Sequence, residues 1–159
     1  MAKGNQKIDL LDRKILKLLS KSARTPFKDV AEACGVSRAA VHQRVQRMID
    51  DGIILGSMFV VNPKSLGYLT CAYIGIQLGS GKVQKTVIEE LRKIPEIVEC
   101  HFTTGPYALM AKLLARDNEH LLHILRDKIY QIQGVVSTET FVSFEQSIIR
   151  SVPVNEETV

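Results

Sequence analysis

From Ile8 to Leu19 the apolar residues Ile8, Leu11, Ile15, Leu18 and Leu19 recur at helical spacing, which predicts a first helix. Asp9 and Asp12 fall in its first turn, where the helix dipole favours acids, and Lys17 and Lys21 lie toward its other end. A polar stretch, Ser20–Thr25, follows. Thr25 is placed to cap a second helix with Pro26 at its first position, Val30 and Ala31 turned inward, and an end near Cys34-Gly35. Ser37 caps a third helix, about Arg38 to Asp50, with Val41, Val45, Met48 and Ile49 as its buried stripe and Asp51-Gly52 as its stop. An extended stretch, Ile53 to Val61, runs to the breaker Asn62-Pro63, and Lys64–Gly67 reads as a hinge.

Beyond the hinge the pattern alternates. Cys71–Leu78 is β-rich, and Lys82–Lys93 sets Val83, Val87, Leu91 and Ile94 on one helical face. Ile97–Thr104 and Tyr107–Ala115 read as strands, Asn118–Gln133 as a helix, and Val135–Phe144 as a strand running toward Ile149. The order is βαββαβ, the ferredoxin-like pattern, and also a weak repeat of two βαβ halves. Such a sheet leaves one face without helices, so Tyr73, Met110 and Phe144 need cover, most simply from another subunit. Asn155–Thr158 reads as a loose polar tail. The expected organisation is α+β, with residues 1–64 a helix-turn-helix domain ending in a short β hinge and residues 65–159 a second domain.

Charge sharpens this division. Residues 1–64 hold 12 Lys and Arg against 6 Asp and Glu, whereas residues 65–159 hold 9 against 11. The basic excess therefore lies entirely in the helical module, as expected of a surface facing a polyanion; a solvated basic face without a partner is the alternative. At 159 residues and 45% hydrophobic the chain can bury a core unaided. No apolar run approaches the ~18 residues of a membrane span. Met1–Lys7 lacks the apolar segment of a secretory signal. Three scattered cysteines, Cys34, Cys71 and Cys100, suit a reducing cytoplasm better than a disulfide framework or a zinc site.

Ala31, Gly35 and Val41 stand at i, i+4 and i+10. A helix-turn-helix needs a small residue where its helices touch, a glycine in the turn, and an aliphatic residue to hold the crossing. With Ser37 as cap, the third helix would offer Arg38, Ala39, His42, Gln43 and Gln46 outward. Arg can bind guanine, Gln can pair with adenine, and Ala39 can meet a thymine methyl. Ser37 through Gln43 are expected at base edges, and Lys28, Arg44 and Arg47 at phosphates. Salt bridges from Arg44 and Arg47 to Asp50 or Asp51, and a merely solvated His42, are the alternatives. A single such module makes few contacts, so a dimer carried by the second domain is expected, on double-stranded DNA.

Other pairings of reactive residues offer less. Gly79-Ser80-Gly81-Lys82 resembles part of a phosphate loop, but Ile76 stands at the first glycine's position and Val83 where Ser or Thr should hold magnesium. His120 and His123 share a helix face at i, i+3 without an evident third ligand. Cys100 and His101 are adjacent in a strand and so point to opposite faces. No catalytic triad, metal site or cofactor site is expected.

The residues together resemble the Lrp/AsnC (leucine-responsive, or feast/famine) regulators over nearly the whole chain. Leu10–Leu19 is similar to the family's opening LDxxDRxIL helix. Val36-Ser37, Val41, Arg44-Val45, Arg47-Met48 and Gly52-Ile53-Ile54 are similar to its GLSxxxVxxRVxRLExxGVI segment. Asn62-Pro63 with Leu66-Gly67 resembles the stretch leading into its second domain, and His101, Thr104-Gly105 and the Ala115-Arg116-Asp117 strand exit resemble its effector domain. The resemblance implies a winged helix-turn-helix followed by a ferredoxin-like (RAM) effector domain. It also implies dimers through the sheets that often assemble to octamers, and an amino-acid effector beside a TGxxDY loop. That loop here is Thr104-Gly105-Pro106-Tyr107-Ala108-Leu109, with Ala108 at the usual aspartate and Leu109 at the aromatic position. An acid can bind an ammonium group; an alanine cannot. The expected function is a sequence-specific, cytoplasmic (nucleoid-associated), non-enzymatic transcription regulator modulated by an effector or by assembly. An architectural DNA-binding protein without an effector is the alternative. A haem-precursor decarboxylase on the same architecture, with His101 and Arg116 as its only obvious site residues, is a third.

Overall fold

The computed structural model describes residues 8–155, in two compact units: one runs through Val60 and takes in the segment from Ile148, the other is Val61–Ser147. The expectations for Met1–Lys7 and for the tail beyond Asn155 lie outside the described residues.

In the first unit α1 is Leu10–Lys21, α2 Phe27–Cys34 and α3 Arg38–Asp50. Asp9 opens α1 with a reciprocal capping box: its carboxylate accepts from Asp12 N (2.8 Å) while Asp12 Oδ2 accepts from Asp9 N (3.1 Å). The apolar periodicity does what it predicts: Ile15, Val30, Ala31, Val41, Val45 and Met48 meet in one buried core. Ile49, placed in that stripe by its spacing, is instead 45% exposed.

Two local expectations change. Pro26, not Thr25, stands at the cap of α2, with no side-chain cap bond. The Thr25 hydroxyl is used in closing the preceding turn, where it donates to the Ser22 carbonyl at 2.8 Å. The stretch 53–61, expected to be extended as a β hinge, contains no strand among the described residues. A strand needs a partner to satisfy its backbone, and among the described residues no strand pairs with this stretch. Leu55, Met58, Phe59 and Val60 are accordingly exposed, with the Arg24 guanidinium 4.7 Å over the Phe59 ring. The segment from Ile148 belongs by contact with the first unit although it follows the second unit's last strand. Arg13 Nη1 donates to the Asn155 carbonyl (3.2 Å), and Ser151–Val154 help line an apolar cavity of about 730 Å³ with α1 and residues 53–57.

The second unit runs β1 (Thr70–Leu78), α4 (Gln84–Arg92), β2 (Ile97–Phe102), β3 (Leu109–Ala115), α5 (Asn118–Asp127) and β4 (Val135–Ser143), the predicted βαββαβ order. The sheet order is β2-β3-β1-β4, antiparallel throughout. Ala72, Ile74 and Ile76 of β1 and Leu109, Ala111, Leu113 and Ala115 of β3 pack on Val87, Leu91, Leu121, Ile124 and Ile129. Helices cover that face alone. Both helices stop short of their predicted ends: Gly81–Val83 and Ile129–Gln131 are single 3-10 turns. The Gly79–Lys82 run is the turn leading into α4, and β4 ends at Ser143 rather than continuing toward Ile149.

Candidate nucleic-acid interface

The turn between α2 and α3 is built from local rules. Gly35 takes a left-handed conformation (φ 68°), with Val36 N donating to the Ala31 carbonyl (3.0 Å) and Gly35 N to that of Glu32 (3.2 Å). Two residues on, Ser37 Oγ accepts from Ala40 N at 3.1 Å and starts α3. Ala31 and Val41 are buried at the crossing, as the spacing predicts.

With Val41, Val45 and Met48 fixing its inner side, α3 exposes Arg38, Ala39, His42, Gln43, Gln46 and Arg47. Ser37 at its cap and Lys28 on α2 are exposed as well. Among the described residues Lys28, Arg38 and Gln43 have no hydrogen-bond or ion-pair partner. His42 is braced edge-on against Phe27 (ring centroids 6.0 Å), so its ring is oriented rather than merely solvated. Gln46 Nε2 donates to Asp50 Oδ1 at 2.9 Å along the helix.

Arg44 and Arg47 do not pair with Asp50 or Asp51. They reach α1 instead. Arg44 Nη1 lies 2.5 Å from Asp9 Oδ2 and 2.9 Å from Asp12 Oδ1, and Arg47 Nη2 pairs with Asp12 Oδ2. The Asp12 side chain is wholly buried, and both of its oxygens accept from donors: Oδ1 from Arg44, Oδ2 from Arg47 and the Asp9 amide. Bonds from the Asp9 and Asp12 carboxylates push the Arg44 pKa up. Burial works to raise that of Asp9, but Arg44 and the Asp12 amide outweigh it and hold Asp9 below the usual carboxylate value. Spacing alone did not single out these two acids for the interface. The signal was the Asp9-x-x-Asp12 capping pair, which marks a helix start and says nothing of what lies 35 residues on.

The other candidate loop joins β2 to β3. Thr103 N donates to the Ala108 carbonyl (3.0 Å) and Thr103 Oγ1 to that of Tyr107 (2.6 Å), which closes the loop and leaves Thr104, Gly105 and Pro106 exposed. Tyr107 does not extend into solvent. Its ring lies on the helix-free face of the sheet over Gly75, edge-on to Phe141 (6.3 Å), with its hydroxyl bonded to the Glu139 carboxylate. Ala108 is half-buried. The same sheet face exposes Tyr73 and Phe141, while Met110 is half-buried; Phe144, just beyond β4, is almost fully exposed.

The remaining candidates separate. His101 faces Glu99 (3.9 Å), opposite Met110 in the ladder, whereas Cys100 faces the other way, opposite Ala111. His120 Nδ1 accepts from Arg116 N (3.2 Å) with Nε2 3.5 Å from Glu96, and His123 pairs with Asp127. Each of these three histidines thus has a separate acidic neighbour, and His101 and Arg116 do not meet in one site.

A capped, outward-facing basic helix on a helix-turn-helix core, joined to a ferredoxin-like domain, defines a DNA-binding transcriptional regulator. Residues 8–49 match the AsnC-type helix-turn-helix domain and residues 71–153 the Lrp/AsnC ligand binding domain. The chain is 40% identical to the regulatory protein AsnC of Haemophilus influenzae, over 91% of this chain and 97% of that one. It superposes on the structure of E. coli AsnC with a TM-score of 0.87 at 38% identity, covering 92% of this chain and 99% of that one. A Neisseria meningitidis transcriptional regulator in complex with L-methionine shares the fold (TM-score 0.88, 21% identity, 94% and 98% covered). The chain belongs to the Lrp/AsnC family of transcriptional regulators.

Proposed function

We propose that α3 lies in the major groove of double-stranded DNA. Ser37, Arg38, Ala39, His42 and Gln43 would face base edges, with Lys28 and the free side of Arg47 on phosphates. The observation that carries this reading is the pair Arg38 and Gln43: exposed, and without a side-chain partner among the described residues, near the start of a helix whose back is locked in a core. Polar side chains without internal partners are free to exchange water for base edges. Residues 1–64, joined by the segment from Ile148 that packs with them, act as the DNA-binding domain, and the rest of residues 65–159 as the effector and oligomerisation domain. The helix-free sheet face, with Tyr73, Met110 and Phe141 on it, is the surface on which two chains pair, and octamers grow from those dimers.

An amino-acid effector would sit beside Thr104, Gly105, Pro106, Tyr107 and Ala108. The methionine-bound relative supports that class of ligand. Ala108 offers no carboxylate to an ammonium group, so the backbone and Tyr107 would have to orient it. This favours, as a second reading, an architectural DNA-binding protein that does without an effector. A thermal-shift screen of the twenty amino acids separates the two.

Duplex binding tests the main reading. Affinity should fall steeply with salt, by roughly 0.9 in log K per log unit of salt for each phosphate neutralised. Gln43→Ala should flatten base preference, and Lys28→Ala should weaken all duplexes about equally. Purified protein with no salt-dependent duplex binding refutes the proposal.

A further inference from the structure

We propose that Asp12 is a positioning residue for DNA recognition: it fixes the groove-facing side of α3 through Arg44 and Arg47, and it withdraws Arg44 from the DNA backbone. This rests on the reading that α3 enters the groove.

Asp12 sits on α1, more than thirty residues from the arginines it holds, and none of its side chain reaches solvent. Its Oδ1 takes Arg44, and its Oδ2 takes both Arg47 and the Asp9 amide. Arg44 and Arg47 are one helical turn apart, so two anchors on one carboxylate fix both the tilt and the rotation of α3 about its axis. A rotation of α3 that turned Arg38 or Gln43 to a different base would have to strip donors from a buried carboxylate, and that resists it.

The two arginines are not equivalent in this clamp. Arg44 Nη1 serves both Asp9 and Asp12, and its side chain is 29% exposed. Arg47 is 48% exposed, and only its Nη2 is engaged with Asp12. Arg47 can therefore hold Asp12 and still present a nitrogen to a phosphate. Arg44 is committed to the interior. The cluster of two arginines and two aspartates is also close to neutral, so it adds less to counterion release than a count of cations suggests.

The experiment compares the full-length protein and its variants on two duplexes of equal length. One is selected from a random library by the unsubstituted protein; the other is of random sequence. Each affinity is measured across a salt series. Arg44→Gln should leave the salt slope unchanged while the selected-to-random ratio drops about tenfold, as when one well-read base pair is lost. Arg44→Lys, which keeps a cation on Asp12, should recover most of the ratio. Asp12→Asn should free Arg47 Nη2 and loosen Arg44, which then keeps only the half-exposed Asp9. Binding to random sequence should then rise, and the slope should steepen by at most roughly 0.9 per subunit, the contribution of an Arg44 that leaves Asp9 for a phosphate.

A merely structural residue would lower the folded fraction and leave ratio and slope alone. A slope that shrinks by about 0.9 per subunit in Arg44→Gln makes Arg44 a phosphate ligand and overturns the assignment. A ratio unchanged in both Arg44→Gln and Asp12→Asn also overturns it. If Asp12→Asn fails to fold, Arg44→Gln still decides, because it keeps Asp12 paired to Arg47. Loss of salt-dependent binding in the unsubstituted protein would instead refute the groove reading itself.

Discussion

Gly75→Ala places a methyl group where the Tyr107 ring now rests. A Cβ built on Gly75 would lie 2.6 Å from Tyr107 Cγ and 2.8 Å from both Cδ atoms, closer than carbon atoms approach, so the ring must leave. What it loses is its edge contact with Phe141, about 0.5–1.5 kcal/mol, and its bond to the exposed Glu139, about 1 kcal/mol. Against this, alanine is favoured over glycine inside a strand by roughly 0.5–1 kcal/mol. The expected net destabilisation is about 0.5–2 kcal/mol, a melting shift of about 2–4 °C per kcal/mol in a chain of this size. The informative comparison is the double-mutant cycle. In a Tyr107→Ala background the steric conflict is gone, so Gly75→Ala should turn neutral or stabilising, with a coupling energy near 2 kcal/mol. Denaturant unfolding measures the energies, and hydrogen exchange at the Thr103 amide, bonded to Ala108, reports whether the loop opens. Equal destabilisation by Gly75→Ala with and without Tyr107 would falsify the packing argument.

Three further outcomes are expected. Gly35→Ala meets no atom within 4 Å but forces a side chain to φ 68°; it should cost about 1–2 kcal/mol of stability, and a neutral result would contradict the turn's role. Burial pushes the Glu96 pKa up, but a backbone N–H bond and the Lys128 ammonium, with His120 beside it, hold it below the usual glutamate value. A depressed carboxylate contributes stability that is present above its unfolded pKa and lost as pH falls through its folded one. Circular dichroism should therefore show acid destabilisation setting in below about pH 4.3, with a shallower pH dependence in Glu96→Gln; an unchanged acid limb argues against it. Asp9 has the same sign, so Asp9→Asn should flatten acid unfolding of the N-terminal unit, and no change would place its bond to Arg44 outside the folded-state balance.

The local elements were legible because their causes are local. The i, i+3 and i+4 apolar spacing of Ile15, Val41, Val45 and Met48 becomes the buried core of the first unit, and Gly35 and Ser37 mark the turn at the residues that make it. Alternation in Leu109–Ala115 becomes alternating burial. One failure was local, since the Thr25 hydroxyl closes the preceding turn instead of capping α2; the larger one needed a distant partner. A strand over 53–61 requires another strand, and no pattern inside the segment says whether one arrives.

Side-chain commitments were equally hidden. By composition Arg44 and Arg47 look like phosphate ligands; only the packing of α1 on α3 brings Asp12 to them. Nothing in the sequence joins Gly75 to Tyr107, which meet because β1 and β3 are neighbours and the loop before β3 folds back over the sheet. Periodicity, caps and charge balance are set within a few residues of chain, so the sequence by itself determined the elements, their order and the basic character of the first module. Which charges remain free to meet DNA depends on contacts between residues far apart in the chain, where the desolvation of one buried carboxylate selects its partners, and that only the tertiary structure decided.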